Sequence, residues 1–178
     1  MKLPSRLRLS IADRRTLSAV AGGIEPADLA LTGGLVLNVF TGRTAPASVG
    51  ISGGRIAWVG DPPAPALREH DLEGGTVVPG LIDPHCHADI LCTPSAFAQA
   101  AARAGTTTAV VDTHTPSFWL ADEPLAAAMD VLEDLPMKFL WGVRPARDSG
   151  GLADDAALPP ARLERLLARP GVAGAGEL

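Results

Sequence analysis

Basic runs are missing from this sequence. Its 178 residues carry 15 lysines and arginines against 20 aspartates and glutamates, a net charge of −5. Nucleic-acid surfaces need clustered positive charge, so no nucleic-acid partner is expected. Long apolar runs are missing too. No window approaches the roughly 18 uninterrupted apolar residues of a membrane span, so no membrane partner is expected. Met1–Arg8 carries positive charges, but no apolar stretch of adequate length follows Arg15. No signal peptide is therefore expected. Cysteine is scarce. Cys86 and Cys92 are too few for a disulfide framework, and their place beside histidines suits a reducing, cytoplasmic setting. No serine and aspartate arrangement resembles an activated nucleophile, Gly150-Gly151 reads as a turn rather than a phosphate cradle, and there is no internal repeat.

What is present is a globular composition, 47% hydrophobic and 20% charged. The length suits one ordinary domain, or a small domain plus part of a larger one. Residues 1–25 read as a lead-in with a short helix. Asp13 is placed to cap it, Leu17 and Val20 share a face, and Gly22-Gly23 ends it. Residues 26–79 turn strand-like. Leu29–Leu31, Leu35–Val39, Ser48–Ile51, Arg55–Val59 and Thr76–Val78 are short runs separated by glycine-bearing turns. That spacing predicts a small β-sandwich or meander.

From Gly80 the period changes, and residues 80–178 form a second region. Leu81–Asp83 reads as a short apolar strand. Thr93-Pro94 opens a helix that Gly105 closes. Thr106–Val111 reads as a buried strand, and Asp122 is placed to cap a helix with Leu125, Met129 and Leu132 on one face. Met137–Val143 is a third strand. Pro160–Ala168 is a helix with Leu163, Leu166 and Leu167 inward, and Val172–Gly176 is a fourth strand. Alternating strands and helices predict parallel βαβ units, an α/β fold. Four such units make half of a closed (β/α)8 barrel, a TIM-like fold that typically takes about 250 residues.

The chemistry-bearing residues gather at strand ends. His85 and His87 flank Cys86, and alternate residues of a strand point to one face, so both imidazoles aim the same way. That pair is a candidate cation site, the alternative being two structural histidines. Cys86 then points to the other side and reads as a packed thiol rather than a soft ligand. Asp83 is placed to hold an imidazole tautomer. His114 follows the second strand, where barrel enzymes keep functional groups. It reads either as a substrate contact or proton shuttle, or as a hydrogen-bonded loop histidine. His70, within Arg68-Glu69-His70-Asp71, reads as a solvated surface residue. Glu177 ends the fourth strand after the small-residue run Ala173–Gly176. A carboxylate there can bridge two cations, or can be a bland residue.

Several of these segments carry a resemblance. Val78-Pro79-Gly80-Leu81-Ile82-Asp83-Pro84-His85-Cys86-His87 resembles the amidohydrolase superfamily signature, proline-glycine, a hydrophobic residue, Ile-Asp, then His-x-His. Gly53–Gly60 looks like that superfamily's sandwich hairpin. Pro26–Leu29 with Val36–Gly42, Thr93–Ala98, Gly105–Thr108, Asp112–His114 and Pro170–Glu177 resemble corresponding segments of adenine deaminases, over most of residues 14–178. The resemblance implies a metal-dependent amidohydrolase (β/α)8 barrel, first half only, preceded by part of a β-sandwich. It implies His85, His87 and Glu177 as metal ligands, with Glu177 bridging; His114, by its place after the second strand, is the candidate catalytic residue. It implies a dinuclear divalent centre of manganese or iron, with zinc as the alternative. The implied substrate is a small molecule, a purine base or a cyclic amide, and the implied full-length form is a homo-oligomer. The family's later ligands, two histidines and an aspartate, have no counterpart, so the chain reads as an N-terminal part. The chain differs from adenine deaminases after His87, at Ala88-Asp89-Ile90-Leu91, and after His114, at Thr115-Pro116-Ser117-Phe118. Three readings follow: an adenine-deaminase-like hydrolase, another cyclic amidohydrolase of dihydroorotase or hydantoinase type, and a non-catalytic remnant.

Overall fold

A computed structural model of the chain describes residues 8–90, 92–113, 116–146 and 157–176. The chain divides into two compact units, Leu9–Pro79 and Gly80–Leu178, the latter joined by Met1–Arg8. Among the described residues no helix is long and apolar enough to cross a membrane.

The first unit opens with α1 (Ile11–Ala21). Its N-cap is Ser10 rather than Asp13. Asp13 lies three residues further on and completes a reciprocal capping box. Its N–H donates to Ser10 Oγ at 3.1 Å, and Ser10 N–H donates to its carboxylate at 2.7 Å. The box satisfies two backbone donors that a helix start otherwise leaves without partners. Val20 is the buried residue of the helix, which packs on the sheet below. That sheet has the order β5-β4-β1-β6, from β1 (Leu29–Thr32), β4 (Ser48–Ser52), β5 (Arg55–Gly60) and β6 (Glu69–Asp71). A second sheet has the order β3-β2-β7, from β2 (Leu35–Asn38), β3 (Arg43–Pro46) and β7 (Thr76–Val77). Residues of both sheets line one apolar cavity of ≈ 570 Å³, among them Val36, Val49, Ile56 and Val77, which is the arrangement of a small sandwich. Strands β3 and β6 do not show in the sequence pattern. Every residue in them is exposed, so they lack the alternation by which strands are recognised. His70 sits on β6 and is exposed, as its charged neighbours suggest.

The second unit is a parallel α/β layer. Its sheet runs β11-β10-β9-β8, from β8 (Leu81–Cys86), β9 (Thr106–Asp112), β10 (Lys138–Val143) and β11 (Val172–Ala175), and every neighbouring pair is parallel. The helices α2 (Pro94–Arg103), α3 (Pro116–Trp119), α4 (Asp122–Val131) and α5 (Pro160–Leu167) lie between the strands in sequence. Thr93 caps α2, accepting from Ala96 N–H at 3.3 Å, with Pro94 at the first helical position. One group of buried residues joins Ala98 of α2 to Ala109, Val111, Met137 and Phe139 of the strands and their approaches. A second joins Leu125 and Met129 of α4 and Leu166 of α5 to Val143 and Val172. Burial of side chains of this size contributes about 1.5–3 kcal/mol each, so the helices are held by their inward residues.

Two local expectations change. Asp122 is the first residue of α4, and Ala121 is the N-cap without a side-chain bond. The Asp122 carboxylate is taken instead by α5, accepting from Arg162 Nε at 2.7 Å and from Arg165 Nη2 at 2.9 Å. Leu167 turns out of the core and is 37% exposed, because α5 has room for one fully buried leucine, Leu166, with Leu163 beside it.

Candidate metal centre

Strand β8 brings the two histidines to its C-terminal end. Gly80 makes the entry possible: a Cβ there would stand 2.2 Å from the Thr107 side chain on the adjacent strand β9. Leu81 N–H then donates to Gly105 O at 2.8 Å, and the strand joins the sheet. Asp83 accepts from the backbone N–H of His85 at 3.1 Å.

His85 and His87 converge. Their Nε2 atoms are 3.3 Å apart, and the rings meet edge to face with centroids 5.0 Å apart. Zinc–imidazole bonds run at about 2.0–2.1 Å, so one ion bound to both nitrogens would subtend about 105–110° between them, close to the tetrahedral angle. The spacing of the two nitrogens thus suits a shared divalent cation. Cys86 turns the other way and packs against the Ala98–Phe139 group. Burial, with the charges of Asp83 and Asp89 adding to it, pushes its thiol up to about 11. It is a packed thiol, turned into the core group.

The floor of the site comes from the neighbouring strand ends. An open cavity of ≈ 530 Å³ is lined, among the described residues, by Pro84, His85, Val110, Asp112, Gly142 and the run Ala173–Gly176. Asp112, the last residue of β9, is 2% exposed. It pairs in register with Gly142 of β10, and a Cβ on Gly176 would stand 2.6 Å from its Oδ2. The small-residue run before Glu177 thus leaves the space that a carboxylate occupies. Asp112 is the site residue that the sequence reading passed over. The available signal was an acidic residue closing an otherwise apolar, β-branched strand.

Beyond Asp112, Thr113 ties β9 to β10. Its N–H and Oγ1 both donate to Gly142 O, at 2.9 and 3.1 Å, and it bonds to Ser117 Oγ. Arg144, also buried, donates from Nε to Ala146 O at 3.0 Å. His114 and Glu177 lie outside the described residues. Among the described residues, no group of three or more His, Cys, Asp or Glu side chains is arranged to hold a metal ion.

No family model matches the chain. An adenine deaminase of Moorella thermoacetica is 34% identical over 182 residues, covering 99% of this chain and 30% of that protein. One from Deinococcus radiodurans is 35% identical over 174 residues, covering 91% of this chain and 31% of that protein. The chain is similar to adenine deaminases. It spans about 30% of the length of the curated relatives it matches. Its fold is that of amidohydrolases. A D-aminoacylase mutant in complex with copper chloride aligns with a TM-score of 0.55 at 26% identity, over 66% of this chain and 30% of that one. A D-hydantoinase aligns with a TM-score of 0.57 at 22% identity, over 79% and 30%. The structure of an adenine deaminase aligns with a TM-score of 0.52 at 22% identity, over 68% and 31%.

The two departures from the adenine deaminase pattern have structural counterparts. After His87, Ala88 is buried among the core residues, and Asp89 carries a buried Oδ1 with no hydrogen-bond partner among the described residues. After β9, Pro116 opens the short helix α3, Ser117 is buried, and Phe118 packs against the Leu125–Val172 group. Phe118 is thereby committed to packing rather than to the cavity.

Proposed function

We propose that this chain carries the first part of the active site of a metal-dependent hydrolase of C–N bonds other than peptide bonds. The reaction we assign to the whole protein is that of adenine deaminase, adenine and water giving hypoxanthine and ammonia. The observation that carries this reading is the convergence of His85 and His87 at the end of a parallel strand, in a chain 34% identical to an adenine deaminase. In this reading the parallel sheet is the first half of a (β/α)8 barrel. His85, His87 and Glu177 hold the metal, and His114 acts on the substrate. The whole protein acts on a small molecule as a homo-oligomer in the cytoplasm.

A divalent cation at this place, manganese or iron with zinc as the alternative, supplies Lewis-acid activation of water. The chain's own residues do the rest. His85 and His87 present imidazole nitrogens 3.3 Å apart from one strand end. The Asp83 carboxylate pins the His85 backbone. Gly142 leaves the neighbouring strand end without a side chain where it lines the groove. The departure from the adenine deaminase pattern at Thr115-Pro116-Ser117-Phe118 keeps a second reading, a hydrolase of cyclic amides.

Two measurements test the proposal. Equilibrium dialysis against Mn2+, Fe2+ or Zn2+ is expected to show weak binding by the chain, lost in the His85→Ala, His87→Ala double variant. Two imidazoles and one carboxylate make an incomplete ligand shell. The protein of the full reading frame, loaded with Mn2+ or Fe2+, is expected to release ammonia from adenine. Equal metal content in the double variant removes the ligand assignment. Turnover of dihydropyrimidine-type cyclic amides without turnover of adenine selects the second reading.

A further inference from the structure

The groove beside His85 holds a carboxylate that the site assignment does not use. Asp112 is almost wholly buried at the end of β9. Yet it lines the same cavity as His85, and among the described lining residues these two are the polar side chains. The room it occupies is made by backbone. A Cβ on Gly176 would meet all three carboxylate atoms within 2.6–2.9 Å. A Cβ on Gly142 would stand 3.2 Å from Gly176 Cα and 3.8 Å from Asp112 Cα. Gly176 is itself fixed, donating to Val143 O at 2.7 Å. Three neighbouring chain segments thus close around one carboxylate at one level. Gly174 lines the same cavity, and a Cβ there would meet nothing within 4 Å. The small residues are therefore not equivalent: Gly176 makes room for Asp112, and Gly174 does not.

We propose that Asp112 is a charge-bearing positioning residue of the cation site, and that Gly176 is glycine in order to seat it. This rests on the metal reading given above. In the reading above the ligands are two imidazoles and one carboxylate, Glu177, and a second carboxylate kept from water adds to the attraction for a dication through a medium less polarisable than bulk solvent. Partners just outside the ligand set typically change metal affinity by about 10–100-fold. Arg144, two residues after Gly142, is a buried cation of the neighbouring strand end. Its Nε is engaged by Ala146 O, and its backbone N–H lies 3.4 Å from Thr113 Oγ1.

The test is equilibrium dialysis of the 178-residue chain against Zn2+ and Mn2+ at fixed pH, with thermal melts of each variant. Asp112→Asn keeps the shape and removes the charge, and is expected to weaken binding about tenfold. Gly176→Ala leaves the carboxylate's chemistry intact but displaces it, and is expected to weaken binding several-fold. Gly174→Ala is expected to bind as the wild type does. Should Asp112→Asn fail to fold, the contrast between the two glycine variants decides. The proposal alone is overturned if binding depends on His85 and His87 while Asp112→Asn binds as tightly as wild type, or while Gly174→Ala loses as much as Gly176→Ala. If the wild-type chain binds no cation, or the double histidine variant binds as wild type, the metal reading falls and this proposal with it.

Discussion

Asp122→Asn tests how the helices behind the sheet are held. The Asp122 carboxylate joins the first turn of α4 to two arginines of α5, some 40 residues on. It accepts from Arg162 Nε at 2.7 Å, and its other oxygen accepts from Arg165 Nε and Nη2 at 3.0 and 2.9 Å. Arg162 also donates to Leu120 O. The side chains are 34% exposed for Asp122, 19% for Arg162 and 62% for Arg165. Solvent-exposed pairs contribute about 0.2–1 kcal/mol. Arg165 therefore belongs near the bottom of that range and Arg162 near the top. An acidic residue in the first helical turn adds about 0.3–1 kcal/mol through the helix dipole. Discounted for exposure, the substitution is expected to cost about 1–1.5 kcal/mol. In a unit of about 100 residues, each kcal/mol moves the melting midpoint by about 4–8 °C.

The pH dependence has a definite sign. Hydrogen bonds from Arg162, then from Arg165, hold the Asp122 carboxyl below its ordinary value of 3.8. A lowered folded-state pKa contributes stability that is fully present above 3.8 and is lost as pH falls through the folded value. Urea unfolding followed by circular dichroism, at pH 7 and at steps down to pH 3, measures this. The gap between wild type and Asp122→Asn should be constant from pH 7 to about 5 and narrow below it. It should also shrink in 1 M salt, where the Debye length is about 3 Å. Equal stability at pH 7 and low salt, or a gap unchanged at acid pH, would refute the reasoning.

Two further outcomes follow from the site and the sheet. In the protein of the full reading frame, Glu177→Gln should keep the melting profile and lose most ammonia release, because an amide bridges two cations poorly; undiminished turnover removes Glu177 from the site. The chain by itself should self-associate in size-exclusion chromatography with light scattering. Among its described residues β8 and β11 are the outer strands of the parallel sheet, and Leu81 and Ile82 on β8 are 62% and 66% exposed. A clean monomer that melts cooperatively would count against this reading of the edges.

The sequence by itself determined the alternation of strand and helix from Gly80 onward, because apolar periodicity and caps such as Thr93-Pro94 act within a few residues. It also determined that His85 and His87 share a face and that Cys86 does not, since strand geometry alternates side chains. It did not determine β3 and β6, whose exposed residues carry no apolar signal and pair only because partner strands are brought beside them. Local sequence pointed to Asp13 and Asp122 as caps. Ser10 took the first role because its hydroxyl and the Asp13 carboxylate satisfy each other's backbone, and α5 took Asp122 away from the second. The seat of Asp112 was decided by tertiary structure alone. Its β9 strand, Gly142 of β10 and Gly176 after β11 are separated by 30 or more residues at each step, and nothing local links a carboxylate to a missing side chain that far along. Only parallel pairing, which sets β9, β10 and β11 in register, turns three distant small or acidic residues into one buried carboxyl group that lines the same cavity as His85.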